Sequence, residues 1–127
     1  MRLIRASGLL WLLTAALLAA AQSTTARIVV QDSPLAGFKY YEGKDVWSEL
    51  RVGDALRLVR EPANPHDANA IRVEWNGRML GYVPRRDNPH LARQLDHGAA
   101  IEARITELKS QRNGRQLLSY EIFVQLK

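Results

Sequence analysis

The chain has 127 residues, a length that suits one domain. It carries 18 Lys and Arg against 13 Asp and Glu, and the formal net charge of +5 permits an anionic partner without requiring one. It contains no cysteine, which excludes disulfide bonds and cysteine-based zinc sites.

The first 21 residues differ in composition from the rest of the chain. Arg2 and Arg5 precede an apolar run from Ala6 to Ala21, which ends in three consecutive alanines. A basic start, a short apolar core and small residues at its end are typical of a secretory signal peptide. We therefore expect a signal helix over residues 1–21 that is cleaved after Ala21, and export to the periplasm or the medium. The alternative is an uncleaved membrane anchor formed by residues 6–21.

The remainder of the sequence has a β pattern. Residues 22–34 are expected to form a flexible lead-in with a candidate first strand at 27–30, and the main domain is expected to span 35–127. Alternation of apolar and polar residues predicts six short strands, over residues 38–41, 55–60, 70–75, 78–83, 101–105 and 118–126. Because closing a sheet removes its exposed edges, we expect a mainly β domain, a compact six-stranded antiparallel β-barrel with a small helical element.

Two Asn-Gly pairs predict the turns of β-hairpins. Asn76-Gly77 and Asn113-Gly114 each separate two alternating runs, and such turns need residues that tolerate a positive φ. Gly81 lies inside a predicted strand, where a glycine indicates a bulge or a close approach of another backbone segment.

One helix is predicted between the strands, from Asn88 to Gly98. Asn88 is a suitable N-cap, Pro89 suits the first helical position, and Gly98 is a suitable terminator. His90 and His97 stand two turns apart on this helix, too far for an adjacent-turn pair of metal ligands. No metal site and no cofactor is therefore expected.

No arrangement of residues typical of an enzyme is visible. None of the serines lies in a Gly-x-Ser-x-Gly turn, and there is no glycine-rich phosphate loop. We therefore expect a non-catalytic protein, and a hydrolase is the least favoured interpretation.

The stretch "REPANPHDANAIRV" at residues 60–73 separates two predicted strands. Pro65 restricts Asn64 to extended conformations, and Asp67 and Asn69 are suited to bonding nearby backbone amides. Local chemistry alone favours a rigid loop. The functional alternative is that the rigidity presents His66 and Asp67 to a ligand.

Three segments taken together favour that alternative. The segments "GFKYY", "LRVGDALRLVREPANPHDANAIRV" and "NGRMLGYVPR" resemble the HIRAN domain family, whose pattern includes Asn-Pro-(Tyr or His)-Asp-x-Asn-Ala-Ile followed by Gly-Tyr-Val-Pro. The resemblance covers residues 35 to 126. It implies a barrel of the OB/SH3-like kind and binding of single-stranded DNA, with preference for a free 3′ end. Helicase-type ATPase, nuclease and ubiquitin-ligase modules accompany the domain in the best-understood members, and their motifs are absent from this sequence.

The resemblance also implies which residues bind. Lys39 and Tyr40 match a basic–aromatic pair near the bound end, and Asn64, His66 and Asp67 match the pocket. A tyrosine ring stacks on a base, a lysine meets phosphate, and a carboxylate accepts a bond from a terminal hydroxyl while repelling an internal phosphate. The resemblance thus predicts a pocket in which the Asn64 amide, which has both a donor and an acceptor, forms hydrogen bonds with the edge of a base.

Two further features extend this expectation. Many relatives have tyrosine where this chain has His66, so we expect weaker base stacking and tighter binding at mildly acidic pH. Four arginines follow or flank the motifs and are candidates for a basic track, although a solvated surface explains them equally well: Arg85, Arg86, Arg112 and Arg115.

Two functions therefore remain open at the level of sequence. The first is a module that captures 3′ ends of single-stranded nucleic acid. The second is an exported envelope module that uses the same pocket for another ligand or for a protein partner. An accessory domain associated with a hydrolase is a weaker third.

Overall fold

The computed structural model describes residues 26–126. The expected signal peptide over residues 1–21, its alternative as an anchor over 6–21, and residues 22–25 of the lead-in lie outside the described residues. Among residues 26–126, no helix is both long and apolar enough to cross a membrane.

The described chain forms one antiparallel sheet with short helical segments on the connections. Its six strands lie side by side in the order β1-β6-β5-β2-β3-β4. They are β1 (Arg27–Pro34), β2 (Ala55–Arg60), β3 (Ile71–Trp75), β4 (Arg78–Tyr82), β5 (Glu102–Ser110) and β6 (Gln116–Gln125). The helical segments are the 3₁₀ turns Phe38–Tyr40 and Trp47–Glu49 and the α-helices α1 (Gly43–Val46) and α2 (Asn88–Asp96). The prediction of a mainly β fold with six antiparallel strands is confirmed.

The sheet is open, so the expected full closure into a barrel is wrong. Its two edges meet at one antiparallel bridge, in which the backbones of Ala36 and Tyr82 exchange two hydrogen bonds of 3.0 Å. After this bridge Gly37, at φ +76°, turns the chain away from the sheet. A Cβ at Gly81 would collide with the carbonyl oxygen of Ala36. Gly81 therefore permits the close backbone approach that the sequence predicted.

The predicted strand at residues 38–41 is a 3₁₀ turn over Phe38–Tyr40, and the expectation of one helix is also wrong. The Phe38 ring is buried edge-on to Trp47, with ring centroids 5.5 Å apart, and it lies directly over Gly43. The amides of Tyr40 and Tyr41 bond to carbonyls three residues earlier instead of to a strand. Burial of Phe38 thus shapes this segment and the short helix α1 after it.

The core lies on the face of the strands that the alternation predicted. In β3, Ile71 and Val73 are fully buried, while Arg72 on the other face is half-buried. Strands β2, β4, β5 and β6 contribute residues to the same cluster, including Leu56, Leu80, Ala103, Ile105, Leu118, Tyr120 and Ile122. Such burial stabilises the fold by roughly 1.5–3 kcal/mol per large aliphatic side chain.

Both predicted hairpins form, with turns of different length. Asn76 and Gly77 have φ values of 45° and 76° and join β3 to β4 directly. The β5–β6 turn is longer, because the backbone N–H of Gln111 donates to the Arg115 carbonyl and leaves three residues at the tip, with Gly114 at φ +80°.

Helix α2 begins one residue earlier than expected. Asp87 occupies the N-cap, and Asn88, predicted to be the cap, is the first helical residue and is buried. Pro89 stands in the first turn and Gly98, at φ +80°, follows the end, as predicted. Leu91 and Ala92 pack into the core.

Candidate nucleic-acid interface

The loop between β2 and β3 is shaped by Asn64. Its Oδ1 accepts hydrogen bonds from the backbone N–H groups of His66 and Asp67, at 2.9 and 3.2 Å. Its Nδ2 donates to Oε1 of Glu61 at 3.0 Å. The oxygen and one N–H group of Asn64 are therefore used inside the loop. This corrects the expectation that Asn64 offers a complete donor–acceptor edge to a base.

Asp67 is held by the loop and by α2. Its Oδ1 accepts from the Asn69 N–H at 2.9 Å, and its Oδ2 accepts from Nδ2 of Asn88 at 2.7 Å. The Asn88 bond, the Asn69 bond and the nearby charges of Arg85 and Arg60 lower the pKa of the Asp67 carboxyl below its usual value. The side chain is 20% exposed. Asp67 is therefore a fixed, ionised acceptor that solvent can reach.

His66 and Arg85 lie beside this carboxylate. Arg85 donates from Nη2 to the His66 carbonyl at 2.9 Å, and its Nε is 3.8 Å from Oδ2 of Asp67. The Arg85 side chain is 77% exposed, and His66 is also exposed. The structure thus brings His66, Asp67 and Arg85 to one surface.

Two tyrosines and a glutamate extend this surface, and sequence reasoning did not place any of them in the site. The Tyr82 hydroxyl donates to Oε1 of Glu61 at 2.8 Å, and the Tyr41 ring lies edge-on to Tyr82, with centroids 5.7 Å apart. Burial and the Glu61 carboxylate raise the pKa of Tyr82 to about 12. Tyr41 and Tyr82 stand in the quoted segments "GFKYY" and "NGRMLGYVPR", which was the available signal.

Glu61 joins the base of the loop to the sheet. Burial opposes its ionisation, but hydrogen bonds from Asn64, Tyr82 and Arg72 together lower the pKa of the Glu61 carboxyl. The Arg72 guanidinium lies 2.8 Å from Oε2. One carboxylate therefore orients both the loop and the Tyr82 ring.

Lys39 and Tyr40 lie at a second surface. Tyr40 is 73% exposed, and Nζ of Lys39 is 4.9 Å from the centre of its ring, a cation–π geometry. A groove of about 570 Å³ runs from this pair to the β5–β6 turn, and Lys44 and Arg115 also line it. The groove thus combines an exposed aromatic ring with three basic side chains.

The two surfaces are connected through intermediates. Among the hydrogen bonds and ion pairs of residues 26–126, none joins Lys39 or Tyr40 to the Asn64–Asp67 loop. The connection runs from Tyr41, next to Tyr40, through Tyr82 to Glu61. The residues expected to form one pocket therefore lie at two surfaces, one at Lys39 and Tyr40 and one at the Asn64–Asp67 loop, and the Tyr41–Tyr82 ring contact lies between them.

The four candidate arginines divide between these surfaces and open solvent. Arg85 lies beside Asp67, and Arg115 lines the groove. Arg86 is exposed and 3.8 Å from Asp87, while Arg112 is exposed on the β5–β6 turn. The structure therefore brings two of the four, Arg85 and Arg115, to the candidate site. Within the described part of the chain, no cluster of His, Asp or Glu is arranged to hold a metal ion.

Comparisons with known proteins point to one family. The model of the HIRAN domain matches residues 28–127. A homolog of Fanconi-associated nuclease 1 from Oryza sativa subsp. japonica is 38% identical over 72 residues, which cover 54% of this chain and 7% of the relative. A SWI/SNF-related matrix-associated actin-dependent regulator of chromatin, subfamily A member 3-like 1, from Arabidopsis thaliana is 32% identical over 81 residues, covering 62% and 9%. The matches therefore span less than a tenth of either relative.

Solved structures show the same fold. The crystal structure of a protein from Lactobacillus plantarum superposes with a TM-score of 0.62 at 29% identity, covering 76% of this chain and 96% of that one. The HIRAN domain of human HLTF superposes with a TM-score of 0.57 at 25% identity, covering 76% and 78%.

Proposed function

This chain belongs to the HIRAN domain family, and we propose that it is a non-catalytic module that binds the free 3′ end of single-stranded nucleic acid. HIRAN domains are binding domains, and nucleic-acid binding is supported at the level of the family. The observation that carries the preference for an end is the Asp67 carboxylate, which is fixed by two hydrogen bonds and remains partly exposed.

The chemistry of the strand end explains the preference. An ionised carboxylate has about four acceptor positions, and Asn69 and Asn88 use two of those on Asp67. A free 3′-hydroxyl can donate to a remaining position. A 3′-phosphate brings negative charge to the same place, and so does the phosphodiester of an internal nucleotide. Repulsion by Asp67 therefore excludes both.

The groove suits the nucleotides that precede the end. Tyr40 offers an exposed face for a base, and such stacking contributes about 1–3 kcal/mol per base. Lys39, Lys44 and Arg115 line the groove and supply cations for phosphates. His66 offers a second, smaller ring beside Asp67.

An affinity measurement tests the proposal. The protein is titrated with two labelled ten-nucleotide deoxythymidine strands, one ending in a 3′-hydroxyl and one in a 3′-phosphate. We expect tighter binding of the hydroxyl strand by about tenfold, the size of a hydrogen bond to a charged group. Asp67→Asn should reduce this ratio towards one.

The matched control is Asp32→Asn, which removes one exposed carboxylate from β1. It should keep the wild-type ratio. Equal affinity of the wild-type protein for both strands would refute the preference for ends, and no binding of either strand at low salt would refute nucleic-acid binding.

We further propose that the protein acts outside the cytoplasm, on the strength of the pattern over residues 1–21. Its ligand would then be extracellular or periplasmic nucleic acid, and the alternative is an envelope module that uses the same pocket for another ligand. Mass spectrometry of the protein from the cell envelope and medium should find a chain that begins at Gln22. An intact Met1 in the cytoplasmic fraction alone would contradict export.

A further inference from the structure

Asn88 is a polar side chain in the core at the start of α2. It is 2% exposed, and it makes no side-chain bond to cap the helix. Burying an amide costs free energy unless hydrogen bonds compensate for the lost water. Its Oδ1 has no hydrogen-bond partner among the described residues. Helix formation and packing therefore do not explain an asparagine at this position.

The remaining polar group of Asn88 points to its role. Nδ2 donates to Oδ2 of Asp67 at 2.7 Å, across 21 residues of sequence. The other fixed donor to this carboxylate, the Asn69 N–H, belongs to the same loop as Asp67. Arg85 is mostly exposed and 3.8 Å away. Asn88 is thus the contact that ties the carboxylate to a rigid, buried part of the fold.

We propose that Asn88 is a positioning residue that sets the preference for a 3′-hydroxyl over a 3′-phosphate end by fixing the direction of the Asp67 carboxylate. The inference rests on the proposed function of the same site. Asn88 itself does not touch the ligand. It holds one oxygen of Asp67, so that the remaining lone pairs point outward towards a strand end.

The first variant is Asn88→Leu, which keeps the number and branching of the side-chain heavy atoms and removes both the donor and the unpartnered oxygen. We expect the ratio of affinities for the hydroxyl and phosphate strands to fall by about tenfold. Affinity for the 3′-phosphate strand should stay within twofold, because the groove at Tyr40 is untouched. A merely structural role would weaken both strands equally.

The second variant, Asn88→Asp, gives a response that a loss of folding cannot imitate. At pH 8 two carboxylates face each other, and the hydroxyl preference should disappear. Protonation of one member of the pair restores a donor between them, so the preference should recover towards pH 5.5, relative to wild type at each pH. The charged side chains that act on Asp67 are Arg85 and Arg60, and the wild-type protein measured at the same pH values is the reference for the variant.

The control is Gln94→Leu, which changes an exposed amide on the same helix and should keep the wild-type ratio. Circular dichroism and thermal unfolding confirm that each variant is folded. If the wild-type protein prefers the hydroxyl strand and both Asn88 variants keep that preference at pH 8, the role of Asn88 is refuted while the proposed function stands. A wild-type protein that binds neither strand would overturn the proposed function and this inference with it.

Discussion

At the residue scale, the buried polar groups separate into satisfied and unsatisfied ones. The Tyr82 hydroxyl donates to Glu61, and Nδ2 of Asn88 donates to Asp67, whereas Oδ1 of Asn88 has no hydrogen-bond partner among the described residues. The Tyr120 hydroxyl is fully buried without a partner among the described residues, and burial together with the charge of Asp87 raises its pKa. An unsatisfied buried group costs stability, whereas a bonded one contributes to it.

Tyr120→Phe should therefore raise the free energy of unfolding, by about 1 kcal/mol, because it keeps the ring and removes the unpaired hydroxyl. Tyr82→Phe is the matched control and should lower it by about 1 kcal/mol, because it removes a made bond. Urea unfolding measures both. A loss of stability in Tyr120→Phe would show that its hydroxyl has a partner.

The carboxylates of the loop make stability depend on pH. The pKa values of Asp67 and Glu61 are lowered in the folded state. Their contribution is therefore fully present above the unfolded-state values, about 4, and is lost as pH falls through the lower folded values. The free energy of unfolding should decline below pH 4, and Asp67→Asn should make this decline shallower. If the free energy of unfolding of Asp67→Asn falls as steeply below pH 4 as that of wild type, Asp67 does not make the assigned contacts.

At the element scale, the open sheet depends on the meeting of its two edges. The bridge between Ala36 and Tyr82 also sets the start of the 3₁₀ turn that carries Lys39 and Tyr40. Alternation in the sequence predicted β3, β5 and β6, in which buried residues recur at alternate positions. It did not predict the length of β1, which extends to Pro34 and has Ser33 as its one buried residue. It misassigned residues 38–41, because the buried Phe38 ring packs on Gly43 and Trp47, and this packing decides the local backbone.

Gly81→Ala tests this edge contact. Its Cβ would collide with the Ala36 carbonyl, so we expect a loss of stability of about 1–3 kcal/mol and faster amide exchange at Tyr82. Gly77 also has a positive φ, but a Cβ there would meet open space. Gly77→Ala should therefore lower the free energy of unfolding by about 1 kcal/mol without faster amide exchange at Tyr82. Equal exchange rates at Tyr82 in wild type and Gly81→Ala would contradict the close approach.

At the scale of the whole molecule, the site combines residues that are distant in sequence. The motif over residues 64–67 indicated the loop, and the resemblance indicated Lys39 and Tyr40. The sequence could not reveal that Asn64 serves the loop, or that Glu61 joins it to Tyr82, because those roles depend on side-chain directions in the folded chain. Asn88 was mistaken for a cap for the same reason: its partner lies 21 residues away.

The charge of the groove predicts how binding depends on salt. Each phosphate contact steepens the fall of the logarithm of affinity with the logarithm of salt concentration. Lys39→Ala should reduce this slope by about 1 for the ten-nucleotide strand. Arg57→Ala, at an exposed position of β2, should leave the slope unchanged. If Lys39→Ala and Arg57→Ala have the same salt dependence, Lys39 does not contact a phosphate.

We propose that one strand binds both surfaces, with its 3′ end at the loop that carries Asp67 and its preceding nucleotides in the groove at Tyr40. The most direct test is to follow the backbone amide signals of ¹⁵N-labelled protein by NMR during titration with the 3′-hydroxyl strand. We predict shifts at His66 and Asp67 and also at Tyr40 and Arg115, and with the 3′-phosphate strand only those of the groove should remain. Shifts confined to the exposed face of β2 and β5, with none at either surface, would show that the strand binds elsewhere on the protein.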